Sequence, residues 1–421
     1  MTRYSFLGFE PAKIVSVKNG KAVIRDQRTG EQSSETCGDP LDIIQKLVEE
    51  RAVRNIAFRF TGGAVGYFSY DAVRYWEKLP RKVKDDLDFP DAEFGFFDDG
   101  IIIDHKKRCS YYYYATENRL SEIEKVTKQP NNISDFLCKP LGVNVARKSF
   151  EKAVEKAKEY IMQGDIFQTV LSKRFGFDVR GGMLGFYRSL REINPSPYMY
   201  FLVMGDRQIV GASPEMLVRV DNRMVETFPI AGTRPFTVNS AENRRLAREL
   251  LADPKERAEH VMLVDLARND LGKISEYSSV HVTEFMKVHK YSHVQHMVSR
   301  AEGKLRDKYS SFDALKAMFP AGTVSGAPKV RAMEIIEELE PTRRGPYAGA
   351  LGYFSYNGNA DFAITIRTLF ANKNKAYIQA GAGIVADSVP EKEWLETEHK
   401  AKALITALQN SGGEKDESVS N

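Results

Sequence analysis

Cysteine is scarce. Cys37, Cys109 and Cys138 are the only three in 421 residues. None forms a CxxC pair, so a disulfide framework or thiolate metal site is excluded, and each reads as a packing residue in a reducing compartment. Long apolar runs are missing too. Nothing approaches the roughly 18 residues of a membrane span, and the opening MTRYSFLGFE has no signal-peptide pattern. Nor is there an excess of one charge. With 61 Lys and Arg against 57 Asp and Glu, the net charge is +4, which draws the chain to neither nucleic acid nor an anionic membrane. What remains is a soluble, cytoplasmic protein. It is 42% hydrophobic and long enough for two or three domains or one large integrated unit.

Residues 1–127 read as short strands and turns. In KIVSVKNGKAVIRD, Asn19-Gly20 lies between alternating apolar residues, a hairpin signal. GIIIDHKKRCSYYYYAT predicts a second hairpin. Residues 128–145 change composition and read as a linker. A helix is expected from about Ser149 to Gly164, with Phe150, Val154, Ala157 and Ile161 at helical spacing. Helices and strands then alternate through a second region, 146–410, and the small polar tail 411–421 reads as disordered. One phrase occurs twice, as GAVGYFSY at 63–70 and GALGYFSY at 349–356. Either the fold has two related halves or two strands meet the same packing demand.

Two helical segments carry acids three residues apart, Glu256 with Glu259 and Glu393 with Glu396; Lys400 follows one turn after Glu396. Like charges at that spacing share a helix face and repel. They form either a solvated edge or two halves of a hard-cation site, for which Mg²⁺, with its oxygen ligands and retained waters, is suited. QAGAGIV places Gly381 and Gly383 where backbone N–H groups can approach an anion. Arg367 stands alone in the apolar FAITIRTLF. It is either a solvated edge-strand residue or, if buried, a cation that needs an anion. The glycine-rich segment MFPAGTVSGAPKVRAMEII, with Thr323 and Ser325, opens a helix where anions are favoured, but its spacing is not that of a nucleotide-binding P-loop.

GDIFQTVLSKRF, NPSPYMYF, GASPEML, PIAGTR, AEHVMLVDLARND, YSHVQHMVSR, AGTVSGAPKVRAMEII, GALGYFSY, QAGAGIVADSVPEKEW and ETEHKA occur in that order from about 160 to 402. Together they resemble the chorismate-utilising enzymes, and within them the large subunits of anthranilate synthase. RYSFLGFEP and GGAVGYFSYDAVRYWEKLP extend the likeness into the N-terminal third. The resemblance implies an α+β fold, with large mixed or antiparallel sheets packed face to face and helices outside. The alternating elements alone would also permit a parallel α/β sheet.

The resemblance also implies a set of site residues. Glu259 and Glu396 would hold Mg²⁺, with Glu256 and Glu393 close behind. The metal and the Gly381-Ala382-Gly383 segment would hold the ring carboxylate of chorismate, near Lys400. Arg367 and Tyr353 would take the enolpyruvyl carboxylate. Gly232, Thr233 and Thr323 would line the ring, and Thr323, Gln168 and His296 would serve catalysis. Water-using relatives have a basic lysine at the position of Gln168, and a neutral amide cannot act as that base. Aminodeoxychorismate synthases of the common type have a nucleophilic lysine where this chain has Ala231. Both departures favour direct amination by ammonia and hence anthranilate formation; aminodeoxychorismate, then isochorismate or salicylate, are the alternatives.

His296 would help expel pyruvate from a core helix. His289, His293 and His296 could instead form a zinc hydrolase site on one helix face, but no general-base glutamate lies among them. A non-catalytic chorismate-binding role is the remaining alternative. No cysteine has the GxCxG setting of a glutaminase nucleophile. A separate glutamine amidotransferase subunit supplying ammonia is therefore expected, in a heterotetramer of two large and two small chains. Tryptophan is expected as a feedback inhibitor at Pro197, Tyr198 and Met199. Tryptophan-binding relatives carry an LLES-type segment before RYSFLG, whereas this chain opens Met1-Thr2-Arg3-Tyr4.

Overall fold

The computed structural model describes residues 3–53, 58–128, 136–291 and 294–412. Two antiparallel sheets dominate these residues. The larger, of 12 strands, runs Ile230–Pro235, Val294–Lys304, Met224–Thr227, Met216–Asp221, Ala360–Ile364, Ala350–Ser355, Gly63–Phe68, Ala92–Phe97, Lys13–Lys18, Lys21–Asp26 and Gln32–Thr36, with His281–Lys290 on the far side of Val294–Lys304. The smaller runs Tyr198–Met204, Arg207–Ser213, Thr368–Asn372, Lys375–Ile384, Gln168–Arg180 and Gly326–Ala327, with Leu137–Val143 also on Gln168–Arg180. The sheets pack face to face, and Ile209, Met204, Phe370 and Tyr377 of the smaller share one core with Val15, Leu217 and Val218 of the larger. Helices cover the outer faces: Leu184–Ile193 and Pro390–Asn410 bury Phe186, Leu190, Ala401 and Leu404 on the smaller sheet. Ser311–Met318 stacks Phe312 on Phe354 of the larger, with ring centroids 4.0 Å apart. This is the α+β fold expected from the resemblance; strand alternation, with one face inward and one under helices, excludes a single parallel sheet.

Both predicted hairpins form, with Asn19 and Gly20 at φ of 49° and 76° turning the first. The expected helix spans Arg147–Met162. Two expectations are corrected. Leu137–Val143 is not linker but a strand paired with Gln168–Arg180; its Pro140 and Gly142 mislead composition, yet an edge strand tolerates both. HVQHMVSR lies in the strand Val294–Lys304, not a helix, because its alternation buries Gln295, Met297 and Ser299. Residues 129–135 and most of the tail, 413–421, fall outside the described residues. Among the described residues no helix is long and apolar enough to cross a membrane.

The repeated phrase has a physical answer. Its copies are adjacent antiparallel strands with Gly66 opposite Gly352. A Cβ on Gly66 would lie 2.0 Å from the Glu93 carbonyl and 2.7 Å from the Phe94 ring. On Gly352 it would lie 2.0 Å from the Asp361 carbonyl and 2.8 Å from the Phe362 ring. Each glycine makes room for a phenylalanine from its outer neighbour, so both copies meet one packing demand. Gly352→Ala is expected to lower unfolding free energy by about 1–3 kcal/mol, as overpacking does. Urea titration should show a lower midpoint with unchanged slope; an unmoved midpoint would show that the strands can part cheaply.

Candidate active site

Asp253 caps the helix Pro254–Gly272, accepting from the Lys255 and Glu256 N–H groups, and so places Glu256 in the first turn and Glu259 one turn on. Arg234 holds Glu256 at 2.9 Å. The Gln168 side-chain amide donates to Glu259 at 3.2 Å. Burial raises the Glu259 pKa, the Gln168 hydrogen bond and Lys400 oppose the rise, and Glu256 and Glu396 add to it. On the helix Pro390–Asn410, Lys400 pairs with Glu396 at 2.6 Å. Burial and Glu396 raise the Glu393 pKa against an opposing Ser388 hydrogen bond. Glu259 thus stands within electrostatic reach of both Glu256 and Glu396, and Glu393 of Glu396, so the two pairs meet with more negative charge than Arg234 and Lys400 offset. A hard cation fits that donor set. Among the described residues no three such side chains close on one point, so an ion would need oxygens from water or a ligand as well.

Beside the acids, a strand edge lies open. Thr368–Asn372 pairs with Lys375–Ile384 only as far as Leu369 opposite Ile378, because Arg367 turns the chain away at φ 52°. On its other side Lys375–Ile384 is paired through Gly383 and Ile384. The N–H and C=O of one strand residue point the same way, and residues two apart share that direction. The Gly381 carbonyl accepts from the Lys400 ammonium at 2.9 Å, so it faces the open edge, and the N–H groups of Gly381 and Gly383 face there too. Side chains would obstruct this segment: a Cβ on Gly383 would lie 2.7 Å from the Gln168 amide nitrogen, and one on Gly381 2.8 Å from the Tyr347 hydroxyl.

Arg367 itself donates to the Lys400 carbonyl at 2.8 Å. Burial pushes its pKa down, opposed by Tyr347 and Glu396. It is a deeply set guanidinium with a backbone acceptor but, among the described residues, no ion pair, a place suited to an anion from outside.

His296 closes the third side. A bulge at Gly232 (φ 65°) turns the Gly232 carbonyl to His296 Nδ1 at 3.0 Å, with the Thr233 hydroxyl at 3.1 Å. A carbonyl only accepts, so Nδ1 carries the proton and Nε2 is left as the basic nitrogen. Burial lowers the pKa, the Gly232 bond opposes, and Arg367 lowers it further, which favours the neutral ring. Glu215 is its complement. Buried at the end of the Met216–Asp221 strand, it is pushed up to about 7 by desolvation, against the pull of the Thr323 hydroxyl and Lys400. A narrow cleft runs from Glu215 and Thr323 along Leu263, Leu266 and Phe228. The site therefore holds a neutral base and a carboxyl that keeps its proton to near-neutral pH.

Chorismate binding enzymes, as a family, match residues 2–406. The chain belongs to that family. It is 47% identical over 412 residues to anthranilate synthase component 1 of Methanothermobacter thermautotrophicus, covering 98% of this chain and 87% of that one. It is 43% identical to aminodeoxychorismate synthase component 1 of Bacillus subtilis, covering 97% and 90%. The crystal structure of anthranilate synthase component I from Streptococcus pneumoniae superposes with a TM-score of 0.86 at 40% identity, covering 96% of this chain and 92% of that one.

Within this family member the structure brings together Glu256, Glu259, Glu393, Glu396, Lys400, Gln168, Gly381, Gly383, Arg367, Gly232, Thr233, His296 and Thr323. Three expected residues face elsewhere than expected. Tyr353 packs on Phe60 at 4.7 Å and Phe6 at 5.9 Å, beside Asp361 and Arg219. Strand alternation aims it into the inter-sheet layer, where Tyr198 donates to Asp361 at 2.8 Å. The tyrosine beside Arg367 and Gly381 is Tyr347, six residues earlier. Ala382 lies one step out of phase with the glycines, and its methyl packs with Phe150 and Trp394. The Met199 side chain alternates away from Tyr198 and packs with the cluster under the helices. Pro197 precedes Tyr198. His289 stands opposite His296 on a neighbouring strand, bound to Glu284 at 3.2 Å, so no helix presents a zinc triplet; His293 is outside the described residues.

Sequence reading missed Glu215, whose signal was the lone acid in the apolar GASPEMLVRV. Because the folded pKa of Glu215 stands above its ordinary 4.5, the folded chain loses stability as pH rises from about 4.5 through 7. Glu215→Gln should remove that loss, worth roughly 3 kcal/mol. Urea unfolding of both chains at pH 5 and pH 8 checks it: the advantage of the variant must grow with pH, and a constant difference would show that Glu215 titrates normally.

Proposed function

We propose that the protein converts chorismate and ammonia to anthranilate, pyruvate and water. The observation that carries this reading is the arrangement of charge: paired acids in excess of the cations beside them, and near them Arg367, which has no ion pair among the described residues, with Lys400 and an open edge of glycine amides. Chorismate has two carboxylates, and the two ends of this site suit them. The ring carboxylate would lie at the Gly381 and Gly383 amides near Lys400, the enolpyruvyl carboxylate at Arg367 and Tyr347. Mg²⁺ would be held by Glu259 and Glu396, with Glu256 and Glu393 behind, and would supply Lewis-acid withdrawal of charge from the ring carboxylate.

Ammonia adds to the ring carbon beside that carboxylate, the double bonds shift, and the ring hydroxyl leaves as water. That departure needs a proton, and Glu215 is the group that keeps one near neutrality. Thr323 lines the cleft beside Glu215 with a buried hydroxyl free to meet the substrate. The second half removes the proton from the aminated carbon, expels enolpyruvate and aromatises the ring; His296 Nε2 is the base that accepts it. Gln168, an amide where water-using relatives have a lysine, offers no base for hydroxide chemistry. Ala231 offers no nucleophile for covalent attack on the ring.

The name "component 1" of the relatives supports a second subunit. We take it to be a glutamine amidotransferase that supplies ammonia, in a heterotetramer of two large and two small chains in the cytoplasm. Tryptophan is the expected feedback ligand in the inter-sheet layer at Tyr198, near Tyr353.

The purified chain given chorismate, ammonium and Mg²⁺ should yield anthranilate and pyruvate in equal amounts, fall silent on chelation and recover with Mg²⁺. Aminodeoxychorismate as product would favour the second reading, isochorismate or salicylate the third, and no turnover a binding role. His296→Ala should still aminate chorismate, yet accumulate the aminated intermediate, because about 10²- to 10⁴-fold of general-base help is missing from elimination alone. Equal loss of chorismate consumption and anthranilate formation, without an intermediate, would take His296 out of that step.

A further inference from the structure

Behind the site lies an ion pair that the reaction does not use. Arg344 and Glu340 are both buried and join through two hydrogen bonds, Nε to Oε2 at 2.9 Å and Nη2 to Oε1 at 2.6 Å. The remaining donors of Arg344 reach two separate pieces of the site wall. Nη1 donates to the Val324 carbonyl at 2.7 Å, in the turn Gly322–Val324 that carries Thr323. Nη2 donates to the Val170 carbonyl at 2.7 Å, and Val170 is the residue opposite Gly383. Glu340 Oε1 accepts from the Ser172 N–H at 2.8 Å and the Ser172 hydroxyl at 2.7 Å; Ser172 is opposite Gly381. The guanidinium also sits 5.6 Å from the Tyr347 ring and 4.7 Å from the Tyr70 ring.

A buried ion pair contributes little net stability, because desolvation offsets the attraction. Apolar side chains of similar volume would hold these elements together as firmly. What they could not supply is direction: a planar fork with five donors fixes several acceptors at set angles. Here those acceptors belong to the Thr323 turn and to the strand behind the glycine edge, with Tyr347 against the fork.

We infer that Arg344 and Glu340 are positioning residues for the reaction, setting Thr323 against Glu215 and Tyr347 against the Gly381 edge from behind. This rests on the reading of the site given above. Misplacement of a reacting group by about 1 Å costs on the order of 10²-fold in rate, so the pair can matter to catalysis while mattering little to folding.

Two variants of the full chain test it. The double variant Glu340→Gln with Arg344→Met removes the pair without leaving a lone buried charge. Arg344→Lys keeps the charge beside Glu340 but cannot span both carbonyls. With saturating ammonium and Mg²⁺, each folded variant should lose about 10²-fold in kcat, with a smaller change in KM for chorismate. An activity-independent readout accompanies this. Glu215 is faced by Thr323, Lys400 and Tyr291; once Thr323 withdraws, the pH window over which stability is lost should move upward. A folded variant with kcat within twofold of the parent and an unmoved window overturns the inference. So does failure of both variants to fold, which would assign the pair to stability alone. If the parent chain does not turn over chorismate, the proposed reaction fails, while the shift of the stability window still decides the role of the pair.

Discussion

The site depends on one strand edge that is left unpaired. Lys375–Ile384 lies inside a sheet, and a strand there ordinarily spends both rows of N–H and C=O groups on its neighbours. Past Ile378 one row has no neighbouring strand among the described residues, because Arg367 takes a left-handed conformation and carries the chain off the sheet. Unpaired amides inside a protein are costly unless something meets them. Lys400 meets the Gly381 carbonyl, and the adjacent amides are left for an anion. The same turn that opens the edge delivers the Arg367 side chain beside it. One backbone feature thus creates both the acceptor surface and the cation that flanks it.

Around that edge the charges are set by separate elements that never approach in sequence. The acids come from two helices, Glu215 from the end of a strand, and His296 from a strand whose neighbour bulges to reach it. Each side chain is tuned by enclosure in opposite directions: burial holds Glu215 protonated and His296 neutral. Neither is in its ordinary state for exposed solvent, and each is in the state that proton donation or acceptance needs.

Much of this was legible beforehand where the signal was local. The two hairpins announced themselves through Asn19-Gly20 and through the aromatic run Tyr111–Tyr114 that follows GIIID. The acid pairs declared a shared helix face, and Gly381 and Gly383 a backbone that something approaches. What was not legible depended on partners far away. The resemblance pointed to Tyr353, and only the neighbouring strands show that Tyr347 is the tyrosine beside Arg367 and Gly381. His296 read as helical because Met297 and Val298 follow it, whereas pairing on both sides with Ile230–Pro235 and His281–Lys290 makes it a strand. Glu215 lies in GASPEML, but its character comes from being buried near Thr323 and Lys400, which no stretch of neighbours encodes. Pro140 and Gly142 resembled linker because edge strands and linkers share composition.

The glycine-centred pair of strands has a consequence for how the molecule is made. Gly63–Phe68 finds its partner in Ala350–Ser355, across most of the chain. The N-terminal strands are therefore synthesised long before the neighbour that completes their sheet exists. Until then Gly63–Phe68 presents a bare, apolar edge with a glycine at its centre, the sort of template that pairs with whatever strand is nearest. Contacts this distant in sequence also form slowly. An edge left open in this way is a template for a sister chain as much as for its own late strand.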